Sequence, residues 1–479
     1  MSSHIIPAKL FLIIGILIQC TSFCQRMDYP WLHRERNFIQ YGSSHWLARF
    51  ASAWKNADQE ALVVLHLGDS HLQNENLPSH ARFLAQREHG DAGLGLIMPY
   101  STVNTYNASI YKSSHTGKWL YSKSYMVPPK LTLGVRGMTA HTFDDSASFQ
   151  ITFNENPSSS NQILSLFCSN ADSSYVPDVK VDGVSLELIS VNGDIREYNV
   201  PNRFLTISVS LKKTSLKQRS FTLYGMSLKG KLDSGCIWHN AGVGACQYKS
   251  VLYEEKFSVQ ASYLNPDVVI IDFGTNDFIY ENAISADLKK EIMAVIEKVR
   301  QACPEASIIL TSAQDMLYKG KRIPAGRLFE HLIREIASEQ ECGFWNWYDI
   351  SGGYKTMPLW QENELAKKDG IHLTSEGSKL KAALLYEAMQ KTIFHLSEKE
   401  TNDTLWFEVG PLANQSMVNE VVKEDEKGHA KFSTIKVKKG DTLINLSKKY
   451  GVSVKSIKDI NKMTSDVLIL GQNLKIPKN

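Results

Sequence analysis

Four short stretches of this 479-residue chain carry the residue types that acyl transfer requires. Gly68-Asp69-Ser70 offers a hydroxyl on a tight turn, and a serine becomes a useful nucleophile only when a base takes its proton. Asp369-Gly370-Ile371-His372 supplies such a base, with a carboxylate three residues away. That carboxylate can accept from one imidazole nitrogen and leave the other facing Ser70. Gly274-Thr275-Asn276-Asp277 adds the Asn276 side-chain amide, and Gly242-Val243-Gly244-Ala245 adds a backbone N–H at a glycine that permits close approach. With the Ser70 N–H, Gly244 and Asn276 make a set of donors for a tetrahedral oxyanion. Each stretch alone reads equally as a turn or a cap; the set predicts a serine esterase centre built on Ser70, His372 and Asp369.

Elements able to position these groups are legible around them. Residues 61–67 form a nearly continuous apolar run that predicts a buried parallel strand ending at Ser70's turn, and 268–273, 307–310 and 344–350 read alike. Helical periodicity lies between them, at Leu288, Ile292, Val295, Ile296 and Val299, then at Leu328, Leu332, Ile333 and Ile336. A further helix is expected after Thr374, its start marked by that residue's capping chemistry, with Leu380, Ala383, Leu384 and Ala388 on one face. Alternating strands and helices predict an α/β fold, and such sheets place their sites at the carboxyl ends of strands. Residues 125–233 change texture, with alternating or β-branched segments between Asn, Ser, Asp and Gly clusters, which predicts an inserted β-sandwich lobe. A polar stretch at 396–432 reads as a linker. Beyond it, 433–479 predicts a βααβ unit: Asp441 and Ser453 as helix caps, Gly451 as a helix end, and Val452 stapled to Ile457.

The four blocks, in this order, resemble those of the SGNH (GDSL-type) hydrolases over roughly residues 60–110 and 236–395. The resemblance implies a three-layer α/β/α parallel-sheet hydrolase, with Ser70 as nucleophile, Asp369 and His372 completing the triad, Gly244 and Asn276 as oxyanion donors, and no metal or organic cofactor. The extended form Gly68-Asp69-Ser70-His71, the Gly-Val-Gly-Ala loop and the β-rich insertion are similar to bacterial peptidoglycan O-acetylesterases, whose inserted lobe resembles a carbohydrate-binding module. That group more often has Asn where this chain has Val243, and Ser312-Ala313-Gln314-Asp315 matches no motif. The C-terminal unit, from Val437-Lys-Lys-Gly440-Asp441-Thr442-Leu443 to Gly471-Gln472-x-Leu474-x-Ile476-Pro477, resembles a LysM domain. LysM domains bind N-acetylglucosamine-containing glycans. By that resemblance the groove comprises Gly440, Asp441, Thr442, Leu443, Leu468, Ile469 and Leu470.

Composition agrees with a globular, multi-unit chain: 43% hydrophobic, 22% charged, and a net charge of +3 that excludes a strongly basic nucleic-acid binder. Residues 433–479 hold ten lysines against three aspartates, leaving the rest of the chain at −4. At the N-terminus, Lys9 precedes an apolar run of nine residues, too short to span a membrane, with small residues before Gln25. This predicts an export signal. The expected layout is a signal peptide at 1–24, hydrolase segments at 25–124 and 234–395 around the lobe, the linker, and LysM at 433–479. Of the five cysteines after the leader, Cys236 and Cys246 could pair, or all could be buried thiols. The expectation is a monomeric esterase of the periplasm, envelope or exterior, acting on O-acetylated peptidoglycan or a related GlcNAc-containing glycan, with no nucleic-acid partner and no stable membrane insertion. Competing readings are an esterase for another acetylated polysaccharide and an inactive wall-binding protein. His66 reads as core, His71 and Asp69 as turn-shaping, Asp277, Trp345 and Trp347 as structural, and Phe143, Phe149 and Tyr175 as aromatics that could stack on sugar.

Overall fold

The computed structural model describes residues 29–398 except 158–159, 232–233 and 281–282, then 403–407, then 432–477 except 439–440, 462, 464–467 and 469–471. The expected leader at 1–24 lies outside the described residues. Two compact units divide the chain, 1–407 and 408–479.

A six-stranded sheet organises the larger unit. Its strands are β1 (Ile39–Gln40), β2 (Leu62–Gly68), β3 (Cys236–Gly242), β4 (Val268–Asp272), β5 (Ser307–Thr311) and β6 (Gly343–Trp345), in the order β1-β6-β5-β4-β2-β3. All neighbours are parallel except β1 with β6. Successive side chains of a strand point to opposite faces, and here both faces are covered. Val64, Ile270 and Ile309 join one core with Phe50, Leu77 and Leu384; Leu65, Val269 and Leu310 join the other with Ile292 and Ile333. Helices α1 (Ala48–Lys55), α2 (Asn76–His89) and α6 (Ser375–Glu398) therefore cover one face, and α3 (Phe257–Leu264), α4 (Leu288–Ala302) and α5 (Ala325–Glu339) the other.

Two sequence expectations shift. Helix α4 buries the predicted face, but α5 turns Phe329, Ile333 and Ile336 inward while Leu328 is exposed. The rotation follows from Phe329, whose ring packs 5.2 Å from that of Phe278. The strand expected through residue 350 stops at Trp345, because the Asn346 side chain accepts from the Asp349 N–H and starts a short helix, Trp347–Ile350. The five cysteines among the described residues are buried free thiols, as one of the two alternatives had it.

The inserted lobe consists of two antiparallel sheets. Five strands run in the order Val184–Ser185, Val176–Val181, Thr206–Lys212, Ser148–Phe153, Tyr111–Thr116; six more run Leu188–Asn192, Ile195–Val200, Gln162–Cys168, Phe221–Gly230, Met138–Thr142, Leu120–Lys123. Gly95–Ile97 also pairs with Phe221–Gly230. The lobe thus starts before residue 125. Tyr111–Thr116 is an edge strand with only Tyr111 buried, so it shows no apolar alternation to read. Helix α6 likewise continues to Glu398, past the expected linker start, and Leu405 bridges to Tyr41. No described helix is long and apolar enough to cross a membrane.

In the smaller unit, Phe432–Lys436 pairs antiparallel with Asn473–Pro477 around helices Leu443–Tyr450 and Val454–Ile460. Val437, Leu443, Leu446, Val452, Ile457, Leu474 and Ile476 form its core. The first helix is capped by Thr442, whose hydroxyl accepts from the Asn445 N–H at 3.1 Å, rather than by Asp441, whose carboxylate accepts from the Lys438 N–H at 2.7 Å. Gly451 ends it with φ +67, and Ser453 caps the second helix.

Candidate active site

Strand register brings the blocks together. Gly68 is level with Gly242 on one side and Asp272 on the other, so Ser70 and Gly244 each stand two residues beyond one line and Asn276 four. Close approach at this edge needs glycine: a Cβ on Gly242 would lie 2.4 Å from Leu72 Cβ. Ser70 opens a short helix, Ser70–Gln73, capped by Asp69, whose carboxylate accepts from the His71 N–H.

Ser70 Oγ lies 2.9 Å from His372 Nε2, and His372 Nδ1 lies 2.8 Å from Asp369 Oδ2. The other Asp369 oxygen accepts the backbone N–H groups of Ile371 and His372 at 2.9 and 3.0 Å. Burial works against the Asp369 charge, but these N–H donors and His372 lower its pKa. Burial also lowers the His372 pKa, and His71 lowers it further, against the pull of Asp369. A neutral His372 can accept a proton at Nε2, and Asp369 is placed to stabilise the resulting imidazolium.

The expected oxyanion donors are present at this rim but engaged. The Gly244 N–H donates to Gln73 Oε1 at 2.6 Å, and Gln73 Nε2 donates to Thr105 Oγ1 at 3.0 Å. Asn276 Nδ2 donates to the Cys246 carbonyl at 3.0 Å and lies 3.4 Å from Asp69 Oδ2. An oxyanion must therefore compete with Gln73 for the Gly244 N–H, a role that sequence reading missed. The available signal was position: Gln73 is three residues after Ser70 on the same helix, hence on the same face. Gln314 was also missed. Its Nε2 donates to the Ile371 carbonyl at 2.7 Å, while its Oε1 accepts from Trp347 Nε1 at 3.2 Å. It lies just beyond the carboxyl end of β5, as Asn276 lies beyond β4.

Several residues take structural positions. His66 is wholly buried, 3.6 Å from Asp272, which pairs with Lys381 at 2.8 Å and accepts from Thr311 Oγ1 at 2.6 Å. His239 is buried, and burial pushes its pKa down to about 3. Asp277 accepts the Tyr248 N–H, and burial raises its carboxyl to about 8. Trp345 and Trp347 stack in the core. Phe149 and Tyr175 are buried, so of the three aromatics considered for sugar stacking only Phe143 is exposed, at 65%, with its ring 4.6 Å from that of His141. In the small unit, Leu443 packs in the core rather than lining a groove, and Thr442 is exposed. Asp441 and Leu468 are half-buried; Gly440, Ile469 and Leu470 lie outside the described residues.

Residues 216–380 match the GDSL-like Lipase/Acylhydrolase family, and 435–477 match the LysM domain. The chain carries an SGNH-type hydrolase domain and a LysM domain. The first match contains Gly244, Asn276, Asp369 and His372 but begins after Ser70, which the fold returns to His372. A solved structure of a peptidoglycan O-acetylesterase has the same fold, with a TM-score of 0.61 and 20% identity over 74% of this chain and 99% of that one. The LysM segment is 49% identical over 49 residues to the probable peptidoglycan endopeptidase LytE of Bacillus subtilis (strain 168). It is 50% identical over 48 residues to the cell wall-binding protein YocH of the same organism. Each match covers 10% of this chain, and 15% and 17% of the respective relatives.

Proposed function

We propose that this chain is an exported serine esterase that removes O-acetyl groups from peptidoglycan and is tethered to the wall by its LysM domain. The Ser70–His372–Asp369 hydrogen-bonded series at the mouth of the sheet carries the reading. Ser70 Oγ attacks the acetyl carbonyl and passes its proton to His372 Nε2; Asp369 steadies the imidazolium through Nδ1. The developing oxyanion draws on the Ser70 and Gly244 N–H groups and the Asn276 amide. His372 then protonates the departing sugar oxygen, leaving acetyl on Ser70. Water, deprotonated by His372, releases acetate and restores the serine. LysM binding raises the local concentration of the polymer beside the esterase. The similarity of the LysM segment to wall-associated proteins supports both the partner and an envelope location.

Mass analysis of O-acetylated muropeptides before and after incubation tests this. The mature protein should remove acetyl mass and Ser70→Ala should not. Removal that persists in Ser70→Ala refutes the mechanism, and faster acetate release from acetylxylan than from peptidoglycan refutes the substrate.

A further inference from the structure

Beside the catalytic base stands a second imidazole that the mechanism above does not use. His71 follows Ser70 directly, its side chain is 9% exposed, and its ring centroid lies 5.4 Å from that of His372. Its Nδ1 is 2.9 Å from Asp69 Oδ1 and its Nε2 is 3.1 Å from the Ile371 carbonyl oxygen. We propose that His71 is an imidazolium that positions the base loop by holding the Ile371 carbonyl, and whose charge keeps neighbouring His372 free to accept a proton. The inference rests on the Ser70–His372–Asp369 reading.

The argument is one of donors and acceptors. A neutral imidazole carries one N–H and one lone pair. With oxygens opposite both ring nitrogens, either neutral tautomer would aim a lone pair at an oxygen. Asp69 is committed as an acceptor: Oδ1 also takes the His71 backbone N–H at 2.9 Å, and Oδ2 faces the Asn276 amide. A carbonyl can only accept, and that of Ile371 already takes Gln314 Nε2 at 2.7 Å. Only a doubly protonated ring satisfies both sides. The charged groups facing His71 are Asp69 and Lys381, with the titratable ring of His372 beside it; those facing His372 are Asp369, Asp69 and His71. Burial disfavours the His71 charge and Lys381 opposes it, but the Asp69 carboxylate and the Ile371 carbonyl prevail and its pKa is raised.

Two consequences follow for the reaction. The Ile371 carbonyl, gripped by His71 and Gln314, fixes the residue directly before His372. A cation beside His372 also disfavours a second one. His372 thus stays unprotonated to lower pH, and once it has taken the serine proton it is a better acid toward the departing sugar oxygen.

The test uses the full mature chain and a chromogenic acetyl ester. The acid limb of kcat/KM falls as His372 becomes protonated, so removing the neighbouring charge must move that limb to higher pH. Two unit charges 5.4 Å apart correspond to roughly half a pH unit at the dielectric of water and about two at that of a protein surface. His71→Gln should therefore raise the acid midpoint by about one unit. A uniform drop in activity with an unmoved midpoint would show a merely structural role and overturn the proposal. Histidine ring NMR on the unsubstituted protein gives an independent reading: the His71 ring should stay doubly protonated at pH 7, and a neutral ring there overturns the proposal. That measurement involves no turnover, so its failure is separable from a failure of Ser70→Ala to abolish hydrolysis.

Discussion

Gly370→Ala would measure how tightly the turn between Asp369 and His372 is built. Gly370 has φ +71, and a Cβ there would lie 2.6 Å from Leu317 Cβ, 0.8 Å inside the 3.4 Å at which ordinary contact begins. The Leu317 N–H also donates to the Gly370 carbonyl at 2.8 Å, so the two segments cannot simply part. Gly193 provides the control: it has φ +56 and nothing within 4 Å of its Cβ position. Left-handed backbone costs a residue other than glycine about 1–2 kcal/mol. Gly193→Ala should lose about that much stability and keep its activity. Gly370→Ala adds the clash, for a total of about 2–5 kcal/mol. A displacement approaching 1 Å at a catalytic group can cost about 100-fold, so its kcat/KM should fall by that order. Urea unfolding and acetyl-ester turnover on both variants give the comparison. If Gly370→Ala stays within about threefold of the parent in kcat/KM, the turn does not constrain His372 as argued.

Other expectations concern separate parts of the molecule. Asn276→Ala should lower kcat by about 100- to 1,000-fold, the usual cost of one oxyanion donor; a smaller effect on acetyl-ester turnover would mean that this amide only ties down the Cys246 carbonyl. Lys381→Met strands the Asp272 carboxylate in the core and should cost about 3–5 kcal/mol in urea unfolding, whereas the double variant Asp272→Asn with Lys381→Met should recover much of that loss. No recovery would refute the charge argument. Deleting residues 433–479 should abolish co-sedimentation with peptidoglycan and leave small-ester hydrolysis unchanged, and equal retention on the wall would count against the proposed tether.

The readable parts of the fold were those with an uninterrupted physical signature. Strands β2, β4 and β5 are buried on both faces, so their residues are apolar almost throughout, and α4 keeps one strict apolar stripe. Tyr111–Thr116 lacked such a signature because a sheet edge buries only its first residue. Trp347 was placed in a strand because its apolar neighbours conceal the Asn346 cap that ends β6. In the candidate site, Ser70, Gly244, Asn276, Asp369 and His372 could be proposed from sequence because hydroxyl, amide, carboxylate and imidazole, with a glycine that permits close approach, are the groups acyl transfer requires. Gln73, Gln314 and the second role of His71 could not. Each acts on a backbone group from another block: Gln73 on the Gly244 N–H, Gln314 and His71 on the Ile371 carbonyl. Any residue supplies such a backbone partner, so nothing in the partner's identity points back to the side chain.

The inserted lobe separates Ser70 from Gly244 in sequence, yet the site depends on their adjacency. The closure entropy of a flexible loop grows only as the logarithm of its length, about 0.6 kcal/mol per doubling, and the structure reduces the effective length further. A neck of hydrogen bonds closes the lobe where it joins the sheet: Gly95–Ile97 pairs with Met226–Leu228, the Gly230 N–H donates to Ala92, and the Cys236 N–H donates to Gly90. Beyond that neck the apolar interior between the two sheets, including Phe149, Ile151, Leu164, Leu166 and Ile207, is continuous with the core on one face of the α/β sheet. The chain therefore leaves and re-enters the α/β domain at nearly one point, and β3 follows the return directly. From there the pairing of Gly242 with Gly68 brings Gly244 toward Ser70, and Arg136 of the lobe donates to the Gly242 carbonyl at 2.7 Å. The lobe therefore supports the proposed acyl-transfer centre as well as interrupting the chain, since Arg136 holds the carbonyl of the residue whose pairing with Gly68 sets the position of Gly244.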